Sequence, residues 1–226
     1  MRKVDVKLYF LEKGNGEPFI LLHGNGEDCT YFSHQIEYFS KKFRVIAVDT
    51  RGHGKSPRGT APFTIEQFSG DLNGLMDQLK LSNAIILGFS DGANIAMKFA
   101  LKYPQRVKAL ILNGGNLNSR GVKPSVQLPI EIGYRISSLF PKAKLKTELL
   151  GLMVNEPNIT TGELSQINAP TLVICGTKDM IKDSHTREIA HNITNSRLSI
   201  IKGSHFIASE EYEAFNKEVS AFLQTI

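Results

Sequence analysis

Three residues far apart in the chain have the types needed to make and break an acyl bond: Ser90, Asp179 and His205. A serine hydroxyl is a weak nucleophile at neutral pH and needs a base. Histidine titrates near neutrality and suits that role, and a carboxylate fixes its tautomer and stabilises the imidazolium. Ser90 stands at the centre of Gly88-Phe89-Ser90-Asp91-Gly92, between the apolar run Ala84–Leu87 and a helical stripe through Ala93, Ala96, Met97 and Ala100. A strand-to-helix turn that lifts a serine clear of a sheet is very sharp. It strains the serine backbone and leaves no room for side chains two residues to either side, which calls for Gly88 and Gly92. The backbone N–H of Asp91 then lies at a helix N-terminus, where negative charge is favoured.

Each candidate group follows an apolar run that reads as a strand. Phe19–Leu22 ends at His23-Gly24-Asn25-Gly26, and Arg44–Val48 ends at Asp49-Thr50-Arg51-Gly52-His53-Gly54-Lys55-Ser56. Val107–Leu112 ends at Asn113, Ala169–Cys175 leads to Asp179, and Arg197–Ile201 leads to His205. The alternating stretch Val4–Phe10 reads as a further strand at the start, followed by a turn over Lys13–Pro18. Helical spacing falls between the strands, over Cys29–Phe39, from a Thr64 cap to Leu79, up to Tyr103, over Ser184–His191 and over Tyr212–Leu223. Strands alternating with helices predict a parallel sheet covered on both faces, with ligands bound at the carboxyl ends of the strands. Residues 114–168 break this rhythm with Pro124, Pro129 and two amphipathic segments, Ile130–Phe140 and Lys144–Val154. They read as a small helical lid inserted into a core formed by residues 1–113 and 169–226.

Composition excludes several classes. The chain has 226 residues, 41% hydrophobic and 22% charged, which fits one globular domain with an insertion. It has no apolar run long enough to span a bilayer, and Met1–Lys7 lacks the apolar core of a signal peptide. Two cysteines, Cys29 and Cys175, make no disulfide framework, so a reducing, cytoplasmic setting is expected. The net charge of +5 is spread along the chain. Its densest clusters, Lys41-Lys42 and Lys142–Lys146, have no interleaved aromatic residues and read as solvated helix faces, so neither a nucleic-acid nor a membrane partner is expected. No metal-ligand spacing, P-loop or dinucleotide motif is present, and no metal or cofactor is called for. The oligomeric state is not legible.

Several residues have two readings. Asp179 has a rival acid in Asp183, which reads as a helix start. His34, His185 and His191 lie on helical stretches and are expected to face solvent. Asp49 is expected to order its own loop, Cys175 to be a buried core residue, and Cys29, after the His-Gly loop, to have no catalytic role. Asp91 reads either as a helix-start acid or as a carboxylate that reaches the pocket and selects cationic substrates.

The chain resembles the α/β-hydrolase fold superfamily over nearly its whole length, in particular its small esterases, C–C-bond hydrolases and cofactor-free haloperoxidases. The matching features are the His23-Gly24 loop, the Asp49-x-Arg51-Gly-His53-Gly-x-Ser56 loop, the serine turn, Gly-x-x-Asp179 and Gly-x-His205, with the triad in the order Ser, Asp, His. The resemblance implies a mostly parallel sheet flanked by helices, with a short helical lid after the sixth strand. It assigns Ser90, His205 and Asp179 as the triad and the backbone N–H groups of Asn25 and Asp91 as the oxyanion hole. It gives His23 and His53 a loop-shaping role rather than that of base. Some relatives carry the acid one strand earlier, where this chain has Asn113-Gly114-Gly115 and no carboxylate. Phe89, Phe140, Leu150, Met153 and Phe206 are candidate pocket residues. The expected reaction is hydrolysis of a small carboxylic ester or related acyl compound. C–C, lactone or thioester hydrolysis and acyl transfer remain alternatives, as does a slow-turnover ligand receptor.

Overall fold

The computed structural model describes residues 5–226. Their strands are β1 (Phe10–Lys13), β2 (Glu17–Leu22), β3 (Phe43–Val48), β4 (Ala84–Phe89), β5 (Val107–Asn113), β6 (Thr171–Gly176) and β7 (Ser196–Ile201). They form one sheet in the order β1-β3-β2-β4-β5-β6-β7. β1 is antiparallel to β3, and every other pairing is parallel.

The apolar runs are near-continuous because both faces of the sheet are covered. Alternate residues go to opposite sides. Ile20, Leu22, Ile46, Val48, Ala84 and Ile86 join one core. Phe19, Leu21, Val45, Ala47, Ile85, Leu87 and Phe89 join the other. The first core is closed by helices α2 (Ile65–Gln78) and α3 (Asp91–Lys102), the second by α1 (Ser33–Phe39) and the terminal helix Tyr212–Leu223. Thr64 caps α2 by accepting a hydrogen bond from the Gln67 N–H, as its position predicts. Truncating a buried residue such as Leu87 to Ala costs about 2–5 kcal/mol, so the strand ends that carry the chemistry are rigidly based.

Three expectations need correction. The first strand lies at Phe10–Lys13 rather than Val4–Phe10. Val4 is outside the described residues, and Asp5–Tyr9 are not strand although Val6 and Leu8 are buried. Alternation here marks side chains tucked under the loop at Gly59 rather than a ladder. The helical insertion follows the fifth strand, because a single described strand precedes β2. Its first helix, α4 (Pro124–Ser138), begins six residues early, with Pro124 at N1 and Pro129 accommodated inside it. The second is α5 (Lys144–Asn155). Around this hairpin, Leu117, Ile159, Leu164 and Ile167 are buried in the first core. The flanks of the insertion therefore belong structurally with the sheet, and Leu152 of α5 anchors the hairpin 124–155 to the same core.

Candidate active site

β4 delivers Ser90 in a strained conformation, with φ +53° and ψ −119°. A β-carbon on Gly88 would lie 2.2 Å from the Gly92 carbonyl oxygen, so Gly88 clears the opposite arm of the turn. Gly92 does something different. A β-carbon there would lie 2.0 Å from the Leu22 carbonyl oxygen, so this glycine lets α3 pass against the end of β2. The Ser90 N–H donates to the Asn113 carbonyl at 2.8 Å, which ties the turn to the end of β5.

The acid and base come from the loops after β6 and β7. A β-carbon on Gly176 would lie 1.9 Å from the Ser204 carbonyl oxygen, so the two loops meet backbone to backbone. Asp179 Oδ1 and His205 Nδ1 are 2.6 Å apart and both residues are buried. Oδ1 also accepts the Ile181 N–H at 2.8 Å, which fixes the carboxylate. The imidazole packs on Gly114, whose φ is +63° and where a β-carbon would lie 2.6 Å from His205 Cε1. The Phe89 ring lies on the imidazole as well, with centroids 4.8 Å apart. The Asn113–Gly114 segment thus touches both the serine turn and the His205 imidazole. His205 Nε2 is buried and has no hydrogen-bond partner, so the Ser90–His205 bond is not made in this structure. Such bonds are commonly loose before substrate binds. Asp183 stands apart, exposed at the start of its helix and paired with Arg187 at 2.8 Å.

On the other side of Ser90, Asn25 and Asp91 meet through their side chains. Asn25 Nδ2 donates to Asp91 Oδ2 at 2.9 Å and to the Leu149 carbonyl of α5 at 2.8 Å. Asp91 Oδ1 accepts from Asn94 Nδ2 at 3.2 Å, and Asn94 in turn holds the backbone and side chain of Asn116. Burial raises the Asp91 pKa, while the Asn25 and Asn94 amides oppose that shift. With both oxygens held by amides, Asp91 acts as a buried connector more than as a simple helix-start acid. The backbone N–H groups of Asn25 and Asp91 donate to no protein acceptor among the described residues.

Comparison with known proteins gives the family. The alpha/beta hydrolase fold profile matches residues 17–130. The chain belongs to the alpha/beta hydrolase fold family. It is an enzyme of the hydrolase class. A serine hydrolase (FSH1) profile also matches residues 76–214 of this hydrolase. The hydrolase is 29% identical to 2-hydroxy-6-oxononadienedioate/2-hydroxy-6-oxononatrienedioate hydrolase 2 of Pseudomonas putida, over 98% of its own length and 93% of that protein. It is 25% identical to 3-oxoadipate enol-lactonase 2 of Acinetobacter baylyi, over 97% of its length and 94% of that protein. The crystal structure of the enol-lactonase from Burkholderia xenovorans LB400 superposes with a TM-score of 0.79 at 27% identity, covering 97% of each chain.

The remaining candidates in the hydrolase organise its loops. His23 is buried, with Nδ1 2.7 Å from the Gly24 carbonyl and Nε2 accepting the Thr50 N–H at 3.0 Å. Burial lowers its pKa and brings that of His53 down to about 4, so both rings are neutral struts between the loops after β2 and β3. Asp49 accepts the N–H groups of Cys29 and Lys55, both at 2.7 Å, and so orders its own loop. Arg51 is fully buried and forks onto Asp71 with two bonds of 2.7 Å, a brace the sequence did not reveal. Asp28, Cys29 and Asp49 are the described residues whose possible metal ligands cluster, within 4.8 Å of one another. Backbone donors already occupy Asp49, and burial pushes the Cys29 thiol up to about 12, so the cluster is better suited to holding a loop than a cation. His185 is not solvent-facing as expected. Its Nε2 accepts the Leu117 N–H at 2.9 Å and its ring packs on Gly121, because its helix lies against the segment entering α4.

The candidate pocket residues separate by position. Phe89 is fully buried beneath His205 and stacks on Tyr31 at 4.5 Å, which makes it a floor. Phe206 is 38% exposed beside both His205 and Phe89. Leu150 packs near Gly133 between α4 and α5, and Met153 is half-buried on α5. Phe140 is 58% exposed at the turn of the hairpin, where it faces water instead of a pocket wall. Sequence reasoning missed Gly114, Asn94 and Asn116. Only the three-residue spacing of Asp91 and Asn94 on one helix hinted at a shared contact.

Proposed function

We propose that this hydrolase cleaves a small carboxylic ester or related acyl compound through an acyl-enzyme on Ser90. The observation that carries the reading is the buried His205–Asp179 pair, whose unpartnered Nε2 stands beside the strained serine turn. In this reading Nε2 takes the Ser90 proton as the oxygen attacks the acyl carbon. The Asp179 carboxylate accepts from Nδ1–H, holds the tautomer and stabilises the imidazolium. The N–H groups of Asn25 and Asp91 receive the oxyanion, a donor of this kind being worth roughly 10²–10³ in turnover. The imidazolium returns its proton to the leaving oxygen, and water activated by the same nitrogen releases the acid. The α4–α5 hairpin serves as the lid, with Leu150 and Met153 as candidate walls and Phe206 at the rim. A small insertion favours small substrates. The likeness to enol-lactonases in both sequence and structure supports a cyclic ester within this class.

A fluorophosphonate probe and p-nitrophenyl acetate test the reading on the wild type and on Ser90→Ala. Labelling and multiple turnover in the wild type, both lost in the variant, are expected. Labelling followed by a single slow burst would replace the enzyme cycle with a receptor. An unlabelled wild type would refute the activated serine.

A further inference from the structure

Of the eleven exposed large hydrophobic side chains among the described residues, six lie on the hairpin. On α2 and α3 the apolar stripe faces the core. On α4, Leu128, Ile132 and Ile136 recur every fourth residue and all are exposed, while the polar Gln127 and Ser137 are buried on the inner side. The outer stripe continues over the hairpin turn through Leu139, 74% exposed, and Phe140, and reaches Leu145 on α5. Residues three and four apart share a helix face, so the α4 side chains line one outer face, and Leu139, Phe140 and Leu145 follow it around the turn. A contiguous apolar patch of this kind marks a contact surface.

Its rim is basic. Arg135, Lys142, Lys144 and Lys146 are all exposed. The two carboxylates of the hairpin are engaged: Glu131 accepts from Gln127 at 3.1 Å, and Glu148 is gripped by Arg58 with bonds of 2.6 and 2.9 Å. Two copies meeting face to face through this patch would oppose rims of the same sign, which disfavours self-association. A surface with anionic headgroups over an acyl interior matches both the charge and the apolar stripe. No helix among the described residues is long and apolar enough to cross a membrane, so the contact is one of lying on a surface. We propose that the outer face of the α4–α5 hairpin docks on an anionic lipid bilayer, with Ile136, Leu139 and Phe140 at the headgroup boundary and the three lysines among the phosphates. The expectation of no membrane partner rested on lysines without interleaved aromatic residues. The structure adds an exposed aliphatic stripe from α4, which is not visible when Lys142–Lys146 is read alone.

Sedimentation with vesicles of phosphatidylcholine alone, and of phosphatidylcholine and phosphatidylglycerol in equal parts, tests this. The wild type is expected to sediment with the anionic vesicles only, and to be released as salt rises. The variant Ile136→Ser/Leu139→Ser removes the apolar anchor. The variant Lys142→Gln/Lys144→Gln/Lys146→Gln removes the charge, at about fivefold in binding per lysine. Both should lose vesicle binding while melting at the wild-type temperature. Because the lysines are exposed, the second variant reports on docking even if the first unfolds. The proposal is overturned if the wild type stays in solution with both vesicles, if it binds both equally without a salt effect, or if the variants still bind. It is also overturned if light scattering shows a dimer that Ile136→Ser/Leu139→Ser dissolves.

Discussion

The two sides of the proposed reaction centre are held by different means. On the base side, backbone fixes backbone. Thr177 and Lys178 donate to Ile201 and Gly203, each at 2.8 Å, so the loops bearing Asp179 and His205 are laced together directly above β6 and β7. Gly114 closes the imidazole from below. The entry to α4 joins this lacing, since the Lys123 N–H donates to the Met180 carbonyl at 2.9 Å. On the oxyanion side, side chains fix the loop. Asn25 reaches sideways to the Asp91 carboxylate and upward to a carbonyl of α5, and α5 is itself anchored by the Arg58–Glu148 pair. In the proposed mechanism, proton transfer would therefore be positioned by the sheet, and oxyanion binding by the cover. Movement of α5 would act on the second through Leu149, whereas the entry of α4 stays tied to the first through Lys123.

The largest effect should come from the base side. His205→Ala and Asp179→Asn are expected to lower kcat by roughly 10³–10⁴ or more on p-nitrophenyl acetate, because an unoriented or absent base leaves the serine inactive. Asp183→Asn, at the exposed rival acid, should leave kcat unchanged. Steady-state kinetics on the three variants decide the assignment. A loss in Asp183→Asn matching that in Asp179→Asn would move the acid to the wrong loop.

A smaller and different loss is expected on the oxyanion side. Asn25→Ala keeps the backbone N–H but frees its loop from both α3 and α5. Misplacement of about 1 Å can cost up to about 10²-fold, so kcat should fall by that much or less with KM little changed. Asp91→Asn should be milder than Asp91→Ala, because its amide oxygen can still accept from Asn25. Equal loss in the two Asp91 variants would mean that charge matters there rather than the tether. An Asn25→Ala enzyme with wild-type kcat would show that the cover does not position the oxyanion site at all.

The legible and illegible parts of this molecule divide along the same line. The strand ends were readable because buried parallel strands are unbroken apolar runs and the turn residues after them are chemically distinctive. The chain order Ser90, Asp179, His205 needed no contact information beyond that topology. The tethers were not readable. Asn25 to Leu149 spans 124 positions, and a carbonyl acceptor leaves no residue-type signal. Gly114 looked like an absent carboxylate, whereas it is the space the imidazole occupies. The early start of α4 was hidden by two prolines, which read as breakers although one sits at N1, where a missing N–H costs nothing. The short N-terminal alternation misled for the opposite reason: Val6 and Leu8 are buried without pairing in the sheet.

The weakest expected effect concerns the group that links the two sides. Glu27 belongs to the oxyanion loop, where its Oε2 accepts the Gly24 N–H at 3.2 Å, and its charge acts on His205. Burial raises its pKa to about 7 from 4.5, and the Gly24 hydrogen bond only partly opposes this. The folded state thus binds the Glu27 proton more tightly than the unfolded chain does. The resulting stability is fully present below 4.5 and is lost as pH rises through about 7. Glu27→Gln keeps an acceptor for Gly24 and removes the titration. Thermal melts should therefore show the variant gaining on the wild type between about pH 5 and about pH 8. A difference that stays flat or reverses over that range would refute the buried carboxyl.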